Sequence, residues 1–419
     1  MDRIILHSDL NSFYASVECL YHPELRERPV AVCGDPEARH GIILTANRIA
    51  KNAGVKTGEA IWEAKQKCPS LVTLPPDYSK YLRFSRMARE IYLDYTDRVE
   101  PFGIDEAWLD LTGSVSLFGE GRQVAERIRE RIREELGITV SIGVSFNKIF
   151  AKLGSDYKKP DAVTVISKEN YRPLVWPLPA KDLLYVGRAT ARKLFDHGIT
   201  TIGGVAQTEP LLLERWLGKW GRMLWRFANG LDDSPVCVYG DEAVIQSVGN
   251  SATTPRDLED NGDVRLMLTV LADSVAERTR ELGFLGQTVS LSVRDAGFAC
   301  FTRQRKLERP TCLTGEIAGA AFSLFQEHYR WERPIRSIGL SLSGLSCGDV
   351  PVQFDLFCDQ ARREKRARLE SAVDGLRGRF GHACVRRAVV MADRDFAGMN
   401  PKGEHIIHPV GYLKGGEGA

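Results

Sequence analysis

Residues 100–112 of this 419-residue chain read EPFGIDEAWLDLT, in which two adjacent acidic residues, Asp105 and Glu106, interrupt an otherwise apolar, strand-like run. Neighbouring side chains on a regular strand point to opposite faces, so one of these carboxylates would be buried without a partner. Gly103 marks a bend just before the pair, and strict alternation breaks down at a hairpin tip. The stretch therefore predicts two strands joined by a turn. The turn carries both carboxylates, and both side chains point towards the same place.

Two carboxylates that converge in a partly buried place repel each other unless a cation lies between them, and oxygen ligands suit Mg²⁺ or Mn²⁺. A third carboxylate is available because Asp9 ends the run RIILHS, residues 3–8, which reads as the first strand. Two divalent ions held by such groups can clamp the attacking and leaving oxygens of a phosphoryl transfer. Spacing alone leaves open a solvated turn for the acidic pair and a helix N-cap for Asp9.

The residues that follow Asp9, LNSFYASVE, begin with cap-type side chains and predict a turn from the strand into a helix. The first N–H groups of a helix have no partner within it and suit the charge of a polyphosphate. Phe13 and Tyr14 stand in this helix start, where core packing is the alternative to a ligand contact for adjacent rings. The turn is therefore a candidate phosphate site.

Apolar spacing organises the rest of the chain into an α+β protein with several domains. Val124, Ile128, Ile132 and Leu136 recur at helical spacing before Gly137, a typical helix stop. The first 165 residues alternate strands with such helices, whereas short helices follow around 173–232. Residues 244–345 then read strand, helix, strand, strand, helix, strand, which predicts a separate α+β domain.

Composition sets bounds on location and partners. The formal net charge is only +2, so a nucleic-acid partner would have to be held by local basic patches. No stretch approaches the roughly 20 apolar residues that span a bilayer, so no membrane partner is expected. Nine cysteines without a CxxC pair, and an N-terminus without a signal-peptide pattern, favour a reduced, cytoplasmic protein.

Four motifs, taken together, resemble the series that identifies the Y-family DNA polymerases, the translesion enzymes, and most closely their polymerase IV branch. They are DLNSFYASVE (9–18), LTANRIAKNAGVKTG (44–58), FGIDEAWLDLT (102–112) and SIGVSFNKIFAKLGSDYKKP (141–160). Their order and spacing match, and the likeness runs from residue 1 to about residue 345.

The resemblance implies the fold of a right-handed polymerase. Its parts would be a ferredoxin-like palm (1–18 and 78–166), small fingers (19–77), a helical thumb with a helix-hairpin-helix (167–233), a βαββαβ little finger (244–345) and a C-terminal tail (346–419).

The resemblance also assigns roles to residues near the acidic pair. Asp9, Asp105 and Glu106 match the catalytic carboxylates that hold two Mg²⁺ ions, which Mn²⁺ can replace, and Leu10 matches a position whose carbonyl reaches a metal. Tyr14 falls on the steric gate, a ring that leaves no room for the 2′-hydroxyl of a ribonucleotide. The positions that match nucleotide-binding residues are Ser12, Phe13, Tyr14, Thr45, Arg48, Lys51 and Lys159.

Two of these positions depart from the family pattern. Relatives usually have Tyr where Arg48 stands and Arg where Lys51 stands, so the phosphate contacts of the fingers are exchanged between the two positions or altered. Lys loses the bidentate fork that Arg offers, and Arg48 could restore it.

DNA contacts are expected in the thumb and the little finger. The stretch LLYVGRATARKLFDHGI resembles a helix-hairpin-helix, in which Gly187 and Arg188 would contact a DNA phosphate. Tyr185 occupies the usual place of the first hairpin glycine, which predicts a distorted hairpin. Arg303, Arg305 and Lys306 would lie along one strand region and could follow a phosphate backbone, with a solvated edge strand as the alternative.

The tail carries QFDLF, which resembles the sliding-clamp-binding peptide of bacterial polymerases. Its residues are Gln353, Phe354, Asp355, Leu356 and Phe357. A segment that folds back onto its own domain is the alternative. The basic helix that follows has no role that the sequence defines.

The resemblance implies template-directed, error-prone DNA synthesis past damaged bases, without a proofreading domain. The expected partners are primer-template DNA, a dNTP and the replication sliding clamp, and the chain is expected to act as a monomer. The alternatives are a template-independent nucleotidyl transferase and a non-catalytic scaffold that binds DNA and the clamp.

Overall fold

The computed structural model describes residues 2–35, 41–241, 245–347 and 360–404. Contacts divide the chain into two compact units, one of which includes residues 2–34 and 42–241 and the other residues 245–347 and 360–404. Within the described residues, every helix is too short or too polar to cross a bilayer. The predicted α+β class is confirmed, since helices and sheets occur in both units.

Among its described residues, the first unit has eight strands and twelve α-helices, numbered here in chain order. The strands are β1 (Ile5–Leu10), β2 (Val30–Cys33), β3 (Ile43–Ala46), β4 (Val72–Leu74), β5 (Val99–Pro101), β6 (Glu106–Asp110), β7 (Val140–Ser145) and β8 (Val163–Ile166). The helices are α1 (Phe13–Tyr21), α2 (Arg48–Asn52), α3 (Ile61–Lys67), α4 (Tyr78–Leu93), α5 (Val115–Phe118), α6 (Gly121–Leu136), α7 (Lys148–Tyr157), α8 (Tyr171–Val175), α9 (Arg188–Asp196), α10 (Ile202–Gln207), α11 (Pro210–Leu217) and α12 (Lys219–Ala228).

A five-stranded sheet in the order β5-β6-β1-β7-β8 carries the first predicted strand at its centre. Strand β1 is antiparallel to both β6 and β7, and all six of its residues are buried. Helix α6 packs with Val124, Ile128, Ile132 and Leu136 buried, as the spacing predicted. It ends at Gly137, whose φ of 69° lies in the left-handed region that glycine adopts readily.

A smaller three-stranded sheet in the order β3-β2-β4 lies within the predicted fingers, residues 19–77. Helix α1 runs through the predicted boundary at residue 18, so palm and fingers share one continuous helix there. Helices α8 to α12 then enclose a core that includes Leu194, Leu213 and Leu224 and continues onto α7 at Phe150. This helical part matches the short helices that the sequence predicted for 167–233.

The second unit has the predicted order of strands and helices. Its strands are β9 (Ser247–Leu258), β10 (Phe284–Asp295), β11 (Cys300–Thr311) and β12 (Ile335–Cys347), and its helices are α13 (Asn261–Glu281), α14 (Thr314–His328), α15 (Gln360–Phe380), α16 (Arg394–Ala397) and α17 (Pro401–Glu404). The strands form one antiparallel sheet in the order β11-β10-β12-β9. Helices α13 and α14 bury the apolar face of this sheet.

The basic helix predicted beyond the little finger is α15, and it is part of the second unit and not an independent tail. The Arg377 guanidinium is 4% exposed and lies 2.8 Å from Asp273 and 3.4 Å from Glu277, both on α13. Phe396 on α16 is fully buried in the core of the unit. A buried charge persists where partners neutralise it, so residues 360–404 are held by ion pairs as well as by apolar packing. The predicted clamp peptide, Gln353 to Phe357, lies outside the described residues.

The Arg377 ion pairs lead to a prediction about stability. Arg377→Ala removes one of the two cations that each of these carboxylates contacts, because Arg387 still pairs with Asp273 and Lys402 with Glu277, and we expect it to lower the free energy of unfolding of the second unit by about 2 kcal/mol. Urea unfolding of the full chain measures this change. Arg379→Ala removes an exposed arginine of the same helix and is the matched control. Equal stability of the two variants would contradict the assignment.

Candidate active site

The three predicted carboxylates come together at one end of the central sheet. Asp9 on β1 is the cross-strand partner of Glu106 on β6, and the backbone N–H of Leu10 donates to the Asp105 carbonyl at 3.0 Å. Gly103 in the turn before the acidic pair has a φ of 152°, which favours glycine. The hairpin thus ends where β1 ends, and residues about 100 positions apart in sequence become neighbours.

Burial and mutual repulsion disturb the acidity of these groups. Burial raises the pKa of Asp9 to about 6, with the Glu106 charge adding to the rise and Lys159 opposing it. Burial and the neighbouring Glu106 also raise the pKa of Asp105. Burial acts in the same direction on Glu106, but hydrogen bonding and charge from His7 and Lys152 outweigh it and hold the pKa of Glu106 below its ordinary value. Burial therefore disfavours the ionised forms of Asp9 and Asp105, which a bound cation would stabilise.

Two lysine ammonium groups partly neutralise the carboxylates. Lys159 Nζ lies 2.6 Å from Asp9 Oδ2 and 2.7 Å from Asp156 Oδ1. Lys152 Nζ donates to Glu106 and lies 3.9 Å from Asp9 Oδ2. An ammonium group thus contacts each member of the Asp9–Glu106 pair.

The carboxylates are not arranged as a finished metal cage. Among the described residues, no three His, Cys, Asp or Glu side chains are clustered closely enough to hold an ion as they stand. One oxygen of Glu106, Oε2, faces His7 and Lys152. A carboxylate-rich, all-oxygen donor set still fits a hard divalent cation, provided that Glu106 changes partners.

A cavity of about 600 Å³ lies over the carboxylates. Every residue predicted for metal or nucleotide contact lines it, namely Asp9, Leu10, Ser12, Phe13, Tyr14, Thr45, Arg48, Lys51, Asp105, Glu106 and Lys159. Palm and fingers residues therefore enclose a single space, large enough for a small polar molecule.

One wall of the cavity is basic. Lys51 Nζ lies 2.9 Å from Ser12 Oγ, directly before helix α1, whereas Arg48 begins α2 and is exposed. Burial and the charge of Lys159 lower the pKa of Lys51, while Asp9 opposes the change. Two ammonium groups that repel each other across a cavity favour an anion between them. At the two positions that depart from the family pattern, Lys51 is the residue that reaches Ser12.

The two aromatic residues of the turn have different surroundings. The Phe13 side chain is buried, which agrees with the core alternative, although it also touches the cavity. The Tyr14 ring lines the cavity and stacks on Tyr81 of α4, with ring centroids 4.3 Å apart and an angle of 10° between the planes. The Tyr81 ring thus supports one face of the Tyr14 ring.

Three residues that matter for this geometry were missed by the sequence analysis. Lys152 lies four residues before Asp156 on α7, a spacing that places both on one face of a helix. His7 is fully buried, with Nδ1 2.9 Å from Ser155 Oγ and Nε2 3.1 Å from Glu106 Oε2. Burial lowers the pKa of His7 to about 4, against the effect of Glu106. A histidine inside an apolar strand was the available signal, whereas nothing local marked Tyr81.

In the thumb, the predicted phosphate contact lies at a helix start. Gly187 is the N-cap of α9 and Arg188 is its first residue. Tyr185 has a φ of 70°, in the left-handed region that favours glycine, and its exposed ring lies against Trp220 with centroids 5.6 Å apart. The hairpin therefore keeps a left-handed residue at this position despite the larger side chain.

The basic residues of β11 lie on different faces of the second sheet. Phe301 packs against the core, and residues two apart share a face, so Arg303 and Arg305 point towards the helices. Arg305 pairs with Glu327 of α14 at 2.5 Å. Lys306 lies on the opposite, open side by the same alternation. The three side chains thus do not form one row.

Comparisons with known proteins agree with these observations. Residues 8–156 match the impB/mucB/samB family, and residues 245–356 match the C-terminal domain of that family. A protein of Acetivibrio thermocellus named DNA polymerase IV is 51% identical over 94% of this chain and 99% of its own length. DNA polymerase IV 2 of Bacillus subtilis is 39% identical over 92% of this chain and 94% of its own length. A solved Y-family DNA polymerase chimera matches 82% of this chain and 99% of its own, with a TM-score of 0.72 and 25% identity.

Proposed function

This chain belongs to the Y-family DNA polymerases, in their polymerase IV branch, and from that premise we propose how its residues carry out nucleotidyl transfer. It is a DNA-directed DNA polymerase that acts in translesion synthesis on primer-template DNA with dNTP substrates, and it depends on a divalent metal. The alternatives, a template-independent transferase and a non-catalytic scaffold, are not favoured by relatives that span nearly the whole chain.

One observation carries the mechanistic proposal: the carboxylates and two lysines line a single cavity, namely Asp9, Asp105, Glu106, Lys51 and Lys159. Asp9, Asp105, Glu106 and the Leu10 carbonyl would hold two Mg²⁺ ions, which Mn²⁺ can replace. When bound, the metal lowers the pKa of the primer 3′-hydroxyl and neutralises charge on the phosphates. The raised pKa values of Asp9 and Asp105 support this role, because burial and the repulsion from Glu106 both disfavour the ionised carboxylates and a shared cation offsets both effects.

The basic wall would hold the triphosphate. In this proposal Lys51 and Ser12 bind its oxygens at the start of α1, with Thr45 and Arg48 beside them, and Lys159 neutralises the charge that develops on the leaving pyrophosphate. Lys159 pairs with Asp9 in this structure. On binding of metal and nucleotide, Asp9 would contact the metal and Lys159 the phosphates instead. Tyr14 would lie against the sugar as the steric gate, with Phe13 packed beneath it.

Other proposals concern the rest of the chain. Gly187 and Arg188 at the start of α9 would contact a DNA phosphate, and so would Lys306 on the open face of the second sheet. We assign Arg303 and Arg305 a weaker role, because they share the helix-facing side. The sliding-clamp contact stays a prediction from the sequence.

We also propose that the protein is an error-prone monomer without proofreading that acts in the cytoplasm. A single chain supplies every residue of the candidate site, which supports the monomer. The described cysteines are all free thiols, which supports a reducing compartment.

The triphosphate assignment leads to a prediction for Lys159. Lys159→Met removes the ammonium group next to the leaving phosphates, and we expect kcat/KM for dNTP insertion to fall about 100-fold. Single-nucleotide insertion kinetics measure this. Lys158→Met changes the adjacent exposed lysine and serves as the control, with an expected change of less than about 3-fold. Similar kinetics for the two variants would remove Lys159 from the site.

The experiment that tests the whole proposal is extension of a primed template, with each dNTP supplied singly opposite an undamaged or a damaged base. Insertion that follows the template base and requires added Mg²⁺ or Mn²⁺ is expected. Insertion independent of the template base would instead favour a template-independent transferase.

A further inference from the structure

Helix α1 presents two side chains of different chemistry on one face, one turn apart. Tyr14 lines the cavity, and Glu18 follows it by four residues and is 3% exposed. Tyr81 of α4 lies across both, because its ring stacks on Tyr14 while its hydroxyl donates to Glu18 Oε1 at 2.7 Å. A single fully buried tyrosine therefore connects the cavity ring to a buried carboxylate.

The carboxylate of Glu18 is held on both oxygens. Oε1 accepts from Tyr81, and Oε2 lies 3.1 Å from Lys80 Nζ. A buried charge is costly unless it is paired and hydrogen-bonded, so both partners are needed to keep Glu18 in this place. Burial and the Glu18 charge raise the pKa of Tyr81, so its hydroxyl remains a hydrogen-bond donor at neutral pH.

This arrangement fixes the position of the Tyr81 ring, which stacking on Tyr14 alone would not fix. Parallel rings can slide over each other with little change in energy, because ring packing is only weakly directional compared with a hydrogen bond. The bond from Tyr81 to Glu18 sets where the Tyr81 ring lies along α1, and the Tyr78 ring lies edge-on to Tyr14 with ring centroids 6.0 Å apart. The Tyr14 ring thus stacks on the Tyr81 ring, whose position depends on its hydrogen bond to the Glu18 carboxylate.

We propose that Glu18 is a positioning residue for sugar selection, acting through Tyr81 on the ring of Tyr14. This inference rests on the proposed steric-gate role of Tyr14. To exclude a 2′-hydroxyl, the Tyr14 ring must stay in place to within less than the size of an oxygen atom. If the Tyr81 ring that supports it can shift, ribonucleotides are therefore admitted more easily. Insertion of dNTPs has no hydroxyl to exclude and does not depend on the support in this way.

The decisive variants separate the hydrogen bond from the ring stack. Tyr81→Phe keeps the stacked ring and removes only the hydroxyl, and Glu18→Met removes the acceptor. For each we expect the ratio of kcat/KM for dNTP to that for rNTP to fall about 5-fold, with dNTP insertion changed by less than about 2-fold. Glu18→Gln keeps an acceptor oxygen and is expected to retain most of the discrimination. Combining Tyr81→Phe with Glu18→Met should add little, because both remove the same bond.

The controls distinguish a positioning role from general loosening. Tyr92→Phe removes a buried hydroxyl of the same helix that bonds Ser8 Oγ at 2.8 Å, and it should leave sugar discrimination unchanged. The proposal is overturned if Tyr81→Phe discriminates like the wild type, or if Tyr92→Phe loses discrimination equally. Tyr81→Phe alone decides if Glu18→Met does not fold.

Tyr14→Ala is measured alongside to separate this inference from the proposed steric gate. If Tyr14→Ala leaves sugar discrimination intact, the steric-gate role itself fails. A large loss of discrimination in Tyr14→Ala without one in Tyr81→Phe defeats only the role of Glu18.

Discussion

Primer extension by the Asp105→Ala, Glu106→Ala double variant is expected to be at least about 1,000-fold slower than by the wild type, equivalent to about 4 kcal/mol of transition-state stabilisation. The physical reason is that the variant removes two of the three acidic side chains that line the cavity, leaving only Asp9 to hold a divalent cation. Rapid-quench measurement of single-nucleotide insertion gives the rate. This is the largest effect that we expect from a change at the acidic pair.

Binding controls separate chemistry from folding in that experiment. The variant should bind primer-template DNA at least as tightly as the wild type, because the carboxylates that it lacks repel rather than attract a phosphate backbone. Asp110→Asn, a change at the far end of the same strand, should extend primers normally. Extension by the double variant at a rate near that of Asp110→Asn would show that the acidic pair is not catalytic.

Tyr14→Ala is expected to give the second large effect, a loss of discrimination between dNTPs and rNTPs of about 100-fold, which corresponds to about 2.7 kcal/mol of steric exclusion. The ring lines the cavity and is backed by Tyr81, so it cannot retreat from a 2′-hydroxyl without disturbing buried packing. Competition kinetics with matched dNTP and rNTP opposite one template base measure the ratio.

Tyr14→Phe is the control for the gate, since it keeps the ring and removes only the phenolic oxygen. It should discriminate nearly as well as the wild type. If Tyr14→Ala excludes ribonucleotides as strongly as Tyr14→Phe does, the sugar is selected elsewhere in the cavity.

Much of the fold followed from local patterns. Apolar spacing in α6 and the strand, helix, strand, strand, helix, strand order of residues 244–345 predicted elements that the structure contains. Such patterns are reliable because a helix or strand must bury one side, and burial imposes its own period on the sequence. The same reasoning left the basic helix without a role, because the carboxylates that hold Arg377 belong to a helix 100 residues away.

The candidate site, like the fold, was predictable from the sequence only in part. The acidic pair, with a bend before it, indicated where carboxylates would converge, and motif resemblance assigned Tyr14 and Lys159. Lys152 and Tyr81 were missed because their partners, Glu106 and Tyr14, are distant in sequence and nothing near them signals the contact. Arg305 was predicted to face DNA, yet its nearest charge is Glu327 on the helix side.

By itself, the sequence determined which segments form strands and helices, that three carboxylates stand at strand ends, and that the chain is a Y-family polymerase. Only the tertiary structure decided which side chains pair: Lys159 with Asp9 across 150 residues, and Tyr81 with both Tyr14 and Glu18. The reason is that periodicity acts over a few residues, whereas pairing depends on the register between strands and on how the helices pack, and these are fixed only when the whole unit has folded.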